Sequence, residues 1–256
     1  MPGSVQSIER AAAILRLLAR GPGRRGLGEV AASLGLARGT AHGILRTLQG
    51  VGFVEQDAAT GKYQLGAALL HLGSSYQDVN ELRSRAINWA DALAARGGEA
   101  VRIGTLLDGQ VLVVHHVFRP DDTLQTLDVG ALLPLHATAL GKALLAYDTT
   151  ATAELLAESG LASYTPHTIT SPLALARALK QIREAGVATE SEEYVAGEAS
   201  LAAPIRGHGG LVVGAIGISG AVERFCDARG RPRPKLVTHL RDAARAVSRD
   251  LGASRW

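Results

Sequence analysis

The 256-residue sequence predicts an α+β chain in two parts: an N-terminal winged helix-turn-helix and a C-terminal domain in which an antiparallel sheet is flanked by helices. Three observations carry this. Residues 26–65 read as two short helical patterns broken at Gly35-Leu36, then two short strands joined by Ala-Ala-Thr-Gly. From Glu99 onward, strand-like runs bounded by Gly and Asp-Gly turns replace that texture. The charge also divides: residues 1–76 hold eight Arg and Lys against four acidic residues, and residues 77–256 hold nineteen against twenty.

The first helix is expected from about Ser7 to Ala19, with Ser7 as N-cap and Ile8, Ala11, Ala12, Leu15 and Leu18 as one apolar stripe. Gly21-Pro22-Gly23 stops it, and Arg24 and Arg25 then either touch a DNA backbone or are solvated. A helix over Leu27–Leu34 precedes a second over Ala37 to about Val51, in which Ala41, Ile44, Leu45 and Leu48 face inward. The opposite face carries Arg38, Gly39, Thr40, His42, Arg46 and Gln49. These short hydroxyl, imidazole and guanidinium groups suit phosphates and base edges in a major groove. Strands at Phe53–Asp57 and Lys62–Leu65 form the wing, where Lys62 would approach a phosphate and Tyr63 would do so or pack on its own domain.

Residues 66–78 read as a linker helix with Leu65, Leu69, Leu72 and Tyr76 on one side, a pattern that serves dimer contact or intrachain packing alike. A stronger helix follows over 81–97 with Leu82, Ala86, Trp89 and Leu93 inward. Val101–Leu107 and Gln110–Phe118 make a hairpin about Asp108-Gly109, and a short strand is expected near Thr123–Val129. Thr138 caps a helix carrying Leu140, Ala143, Leu144 and Tyr147. Another lies near Thr150–Glu158, and Ser171-Pro172 opens a third that Gly186 ends. Strands at Val187–Glu193, Ser200–Arg206 and Leu211–Ser219 lead to a last helix over Lys235–Leu251.

Composition bounds the function. Hydrophobic residues make up 46% of the chain, no apolar run approaches the ~20 residues of a membrane helix, and the N-terminus lacks a signal peptide, so no membrane partner and a cytoplasmic location are expected. A single cysteine, Cys226, excludes an intrachain disulfide and a cysteine-based zinc cluster. His115 and His116 are adjacent on a strand and point to opposite faces, which disfavours a shared metal. Gly141-Lys142 lacks the rest of a phosphate loop, and no nucleophile–base–orienter set is found. The expectation is therefore a non-enzyme without metal or cofactor. The preferred pocket lies at the helix start Thr138, Ala139, Leu140, where free N–H groups at Ala139, Leu140 and Gly141 favour an anion. Polar groups face it from Glu190, Ser200 and Ser219, and Lys142 either adds charge there or, the preferred reading, points to solvent.

The stretches SVQSIERAAAILRLLA, LARGTAHGILRTLQGVGFVEQDAATGKYQLG, LPLHATALGKALLA, GVATESEEYVAGEASLAAPI and VVGAIGISGAVER, in this order, resemble the IclR family of bacterial transcriptional regulators over essentially the full length. Within that family, GLGEVAASLGLARGTAHGILRTLQ and VLVVHHVFRPDD look most like the glycerol-operon regulators. The resemblance implies a winged helix-turn-helix (1–65), a linker helix (66–80) and a GAF-like effector and oligomerisation domain (81–256). It also implies homodimers or homotetramers on palindromic operator DNA, repressing in most members and activating in some. By motif match its ligand contacts fall on Thr138, Ala139, Leu140, Glu190, Ser200 and Ser219. The effector would be a small anionic metabolite, and the glycerol-regulator likeness points to glycerol 3-phosphate; another carboxylate, or an architectural DNA-binding role without effector, are the alternatives. Two positions depart from the pattern: Gly43 stands where many relatives have Arg, and Ala139-Leu140 where some have smaller residues.

Overall fold

A computed structural model of the chain describes residues 5–19, 24–69, 77–121, 125–157, 160–227 and 230–253. The chain divides into two compact units, Met1–Gln77 and Asp78–Trp256. Among the described residues no helix is long and apolar enough to cross a membrane.

In the first unit three helices, α1 (Gln6–Ala19), α2 (Leu27–Ser33) and α3 (Arg38–Gly50), precede a two-stranded antiparallel wing, β1 (Val54–Gln56) and β2 (Tyr63–Leu65). Ile14, Leu18, Val30, Leu45, Leu48, Val54 and Tyr63 form their shared core. Two expectations for α1 are corrected. The helix starts at Gln6, and the N–H groups of Ile8 and Glu9 bond the carbonyl of Val5 at 2.9 and 3.2 Å, so Ser7 lies inside the helix and is not its cap. Ile8 is 67% exposed, because Ile14 and Leu18, flanked by Ala11 and Leu15, are the side chains that meet α3 and the wing. At α2 the Glu29 carboxylate accepts the N–H of Gly26 at 2.8 Å, satisfying one of the donors a helix start leaves free.

Residues 70–76, which hold most of the expected linker helix, lie outside the described residues. The helix α4 (Gln77–Gly97), all but its first residue, opens the second unit. It then builds β3 (Ala100–Leu107), β4 (Gln110–Val117), β5 (Leu132–Leu133), α5 (Ala139–Leu145), α6 (Thr149–Leu156), α7 (Pro172–Ala185), β6 (Ala188–Ser191), β7 (Glu198–Arg206), β8 (Val212–Ala221), α8 (Val222–Phe225) and α9 (Pro234–Asp250). The six strands make one antiparallel sheet in the order β5-β4-β3-β8-β7-β6. Asp108 and Gly109 take φ of 46° and 72°, the left-handed pair that a two-residue hairpin between twisted strands requires. The expected strand near 123–129 is corrected. Residues 122–124 lie outside the described residues, Gln125–Val129 is not a strand, and pairing with β4 resumes at Leu132–Leu133.

Alternation along the strands sorts two cores. Val101, Ile103, Leu201, Ile216 and Ile218 face α4 and α9. Val111, Ala188, Ala202 and Ala215 face α5 and α7. Helices therefore cover both faces of the sheet, and the site described next lies on the α5 face.

Candidate functional site

Two surfaces concern function, one in each unit. On α3 the side away from the core leaves Arg38, Gly39, His42, Gly43 and Arg46 exposed and Thr40 partly so, while Ala41, Leu45 and Leu48 are buried. This is the division the spacing predicts. Lys62 is exposed at the wing. Tyr63 is buried, so of its two expected roles it packs. Arg24 is engaged by its own unit: it donates to Gln64 Oε1 at 2.7 Å and Asp57 Oδ2 at 3.0 Å. The backbone of Arg25 pairs with Tyr63 as a short extension of the wing.

In the second unit a cavity of about 420 Å³ opens between α5, the sheet and the segment before β5. Thr138, Ala139, Leu140, Glu190, Ser200 and Ser219 all line it. The register explains how the last three meet. Glu190 pairs with Ser200 across β6 and β7, and Ser200 with Ser219 across β7 and β8, so three polar residues stand in one row on one face. Leu140 lies over Gly217, where a Cβ would come within 3.2 Å of its Cδ2; the missing side chain there gives Leu140 its space.

Thr138 caps α5 as expected. Its hydroxyl donates to the carbonyl of Pro134 at 2.7 Å and accepts the N–H of Gly141 at 3.1 Å. That second bond is a correction: of the three N–H groups thought free, Gly141 is used internally. Lys142 is a larger correction. It is 2% exposed and its ammonium donates to Glu193 Oε1 at 2.6 Å, because the helix packs flat on the sheet and no path to solvent is left. Glu190 is also committed. One oxygen accepts Ser200 Oγ at 2.7 Å, and the other accepts the N–H groups of Glu193 at 2.7 Å and Tyr194 at 3.4 Å. Burial pushes its carboxyl above the usual range, and those three donors pull it back. Burial likewise raises Glu193, with Lys142 opposing.

Among the lining residues that sequence reasoning missed are three charged ones, Arg102, Asp128 and Glu198. Arg102 on β3 projects onto the cavity face, donates from Nε to Asp128 Oδ2 at 2.6 Å and from Nη1 to Ser219 Oγ. Asp128 belongs to the segment that the sequence predicts as a strand, and its own N–H donates to His116 Nδ1 at 3.2 Å. His116 thus ties β4 to the segment before β5, and burial lowers its pKa. The cavity wall can thus accept hydrogen bonds from hydroxyl groups at its carboxylates and serine oxygens and offer one guanidinium. Among the described residues no cluster of His, Cys, Asp and Glu could hold a metal.

Comparison with known proteins follows this division. The IclR helix-turn-helix domain matches residues 7–58 and the bacterial transcriptional regulator IclR C-terminal domain matches residues 74–249. The chain is similar to the glycerol operon regulatory protein of Streptomyces coelicolor, 56% identical over 256 residues, and to that of Streptomyces griseus, 54% identical, with both chains fully covered in each case. Among solved structures it is similar to an IclR homologue of Microbacterium hydrocarbonoxydans complexed with 4-hydroxybenzoate, at a TM-score of 0.83 and 25% identity over 97% of this chain and all of that one.

Proposed function

The chain belongs to the IclR family of bacterial transcriptional regulators, and on that premise we propose that it represses a glycerol or related small-carbon catabolic operon and is released from its operator by a small anionic metabolite. The observation that carries this reading is the full-length identity to two glycerol operon regulatory proteins. In this reading residues 1–65 bind operator DNA, residues 66–80 transmit the signal, and residues 81–256 bind effector and assemble homodimers, or pairs of them. Arg38, Gly39, Thr40, His42 and Arg46 enter a major groove and Lys62 meets flanking phosphate. A two-fold dimer sets its half-sites about 34 Å apart or at a multiple of that distance. Effector in the cavity favours the DNA-incompetent state only to the extent that it binds that state more tightly.

Glu190 and Glu198 on the same walls favour a second reading, in which a neutral polyol such as glycerol is the effector. Fluorescence anisotropy with DNA from the protein's own upstream region tests both. Specific, salt-sensitive binding released by glycerol 3-phosphate and not by glycerol is the expected result. Release by glycerol alone selects the second reading, and binding that no small molecule alters rejects both.

A further inference from the structure

Resting on the reading of the cavity as an effector site, we propose that Arg102 selects for the effector's negative charge and that Asp128 is a built-in competitor occupying Arg102 until the effector arrives. Among the described residues Arg102 is the one cation lining the cavity, against the carboxylates of Asp128, Glu190 and Glu198. An anion has no other charged partner there. Arg102 lies opposite Gly217 in the register, so no side chain from β8 covers it from that position. Its neighbours Val101 and Ile103 are buried in the other core, which fixes the strand and aims the guanidinium into the cavity.

The guanidinium has five N–H donors, and the bonds to Asp128 and Ser219 use two of them. Arg102 and Asp128 side chains are 24% and 27% exposed, so the pair stands at an accessible wall and is not sealed in a core. Asp128 can let go without unfolding anything. It sits in a non-strand segment whose backbone is held independently: the N–H of Gly130 bonds Val113, the N–H of Val113 bonds Ala131, and the N–H of Asp128 itself bonds His116. Rotation of one short side chain releases the guanidinium.

Binding of an anion is then an exchange of one carboxylate for the ligand's oxygens on the same planar donor set, which suits phosphate and carboxylate geometry alike. The Asp128 carboxylate passes into water and the wall's like-charge repulsion on the ligand falls. A neutral polyol gains nothing from the exchange and meets Arg102 already paired. The ion pair thus works as a filter: it lowers affinity for every anion by a constant factor, and only ligands with a well-placed anionic group displace it.

Calorimetric titration of the full-length protein with three matched probes, glycerol, glycerate and glycerol 3-phosphate, tests this on the wild type, Arg102→Gln and Asp128→Asn. Asp128→Asn is expected to tighten one or both anions by roughly threefold to tenfold, the scale of a partly exposed ion pair, and to leave glycerol unchanged. Arg102→Gln is expected to weaken the same anions by about tenfold to a hundredfold, as for loss of a charge-assisted contact. A gain of affinity in Asp128→Asn cannot come from misfolding, so the pair of variants keeps the test decisive. Unchanged or weaker anion binding in Asp128→Asn, full anion affinity in Arg102→Gln, a preference of the wild type for glycerol, or no anion binding by wild type and Asp128→Asn alike would each overturn the assignment. Operator anisotropy on the same preparations separates the two levels. Loss of operator binding by the wild type refutes the regulatory reading, whereas operator binding with the wrong probe ranking refutes the role of Arg102 alone.

Discussion

Lys142 and Glu193 form an ion pair at 2.6 Å in which the lysine is 2% and the glutamate 12% exposed, 51 residues apart in the chain. The pair joins α5, the helix that carries one cavity wall, to the loop whose N–H groups hold Glu190. Removing one partner strands the other charge away from water. Lys142→Met is expected to destabilise the second unit by about 3–5 kcal/mol in urea unfolding. Adding Glu193→Gln to it should recover a large part of that loss, because burial already raises the Glu193 carboxyl and the neutral amide removes the stranded charge. Additive losses in the double variant would show that the two side chains do not act as a unit.

Gly141 bears on the same helix. A Cβ there would stand 2.3 Å from the carbonyl oxygen and 2.4 Å from the Cα of Leu135, both backbone atoms that cannot swing aside. Gly141→Ala is expected to cost at least about 1–3 kcal/mol in chemical unfolding despite the better helix propensity of alanine, and to weaken effector binding as α5 lifts from the sheet. A stabilised variant would mean the helix start is free to shift.

Much of this was legible in the sequence. The spacing of Ala41, Leu45 and Leu48 assigns the buried face of α3, Asp108-Gly109 marks the β3–β4 hairpin, and Thr138 and Ser171 sit as caps at their helix starts, each by a local rule. What escaped was set by distant partners. Nothing local says that Lys142 meets Glu193, and a lysine in a short helix ordinarily reaches solvent. Arg102 did leave a signal, since a cation flanked by Val101 and Ile103 on an alternating strand projects onto the opposite face. Whether that face holds water or a cavity depends on the register with β8 and on Asp128, in a segment whose apolar residues imitate a strand. Ile8 misled for a related reason: the helical stripe is real, but the core behind α1 reaches only as far as Ala11.

The Glu190 carboxyl gives a pH dependence of definite sign. Burial raises it above its ordinary 4.5, against the donors Ser200, Glu193 and Tyr194, so the native state keeps the proton to a higher pH than the unfolded chain. Its contribution is therefore fully present below 4.5 and is lost as pH rises through the folded value. Glu193 has the same sign, so the wild-type slope contains both groups. For Glu190→Gln the expected result is a stability difference, variant minus wild type, that grows in the variant's favour from pH 4.5 toward neutrality and then levels. Thermal melts across that range measure it, and a difference independent of pH would show that the carboxyl titrates alike in both states.

On the DNA side, Arg46 is the sharpest test. It stands exposed on α3, one turn from His42, with no hydrogen-bond or ion-pair partner among the described residues, so its guanidinium is available to a ligand at no cost of a broken contact. Gly43 brings no side chain to the same face, so in the proposed interface Arg46 and His42 would carry more of the recognition. If Arg46 reads a base, Arg46→Ala should lose about 1–3 kcal/mol of operator affinity and relax specificity at one position. If it meets a phosphate, binding should weaken on all sequences and the salt slope should fall by roughly one. Anisotropy with the operator and a scrambled duplex over a salt series separates the two, and operator affinity and slope equal to wild type would remove Arg46 from the interface altogether.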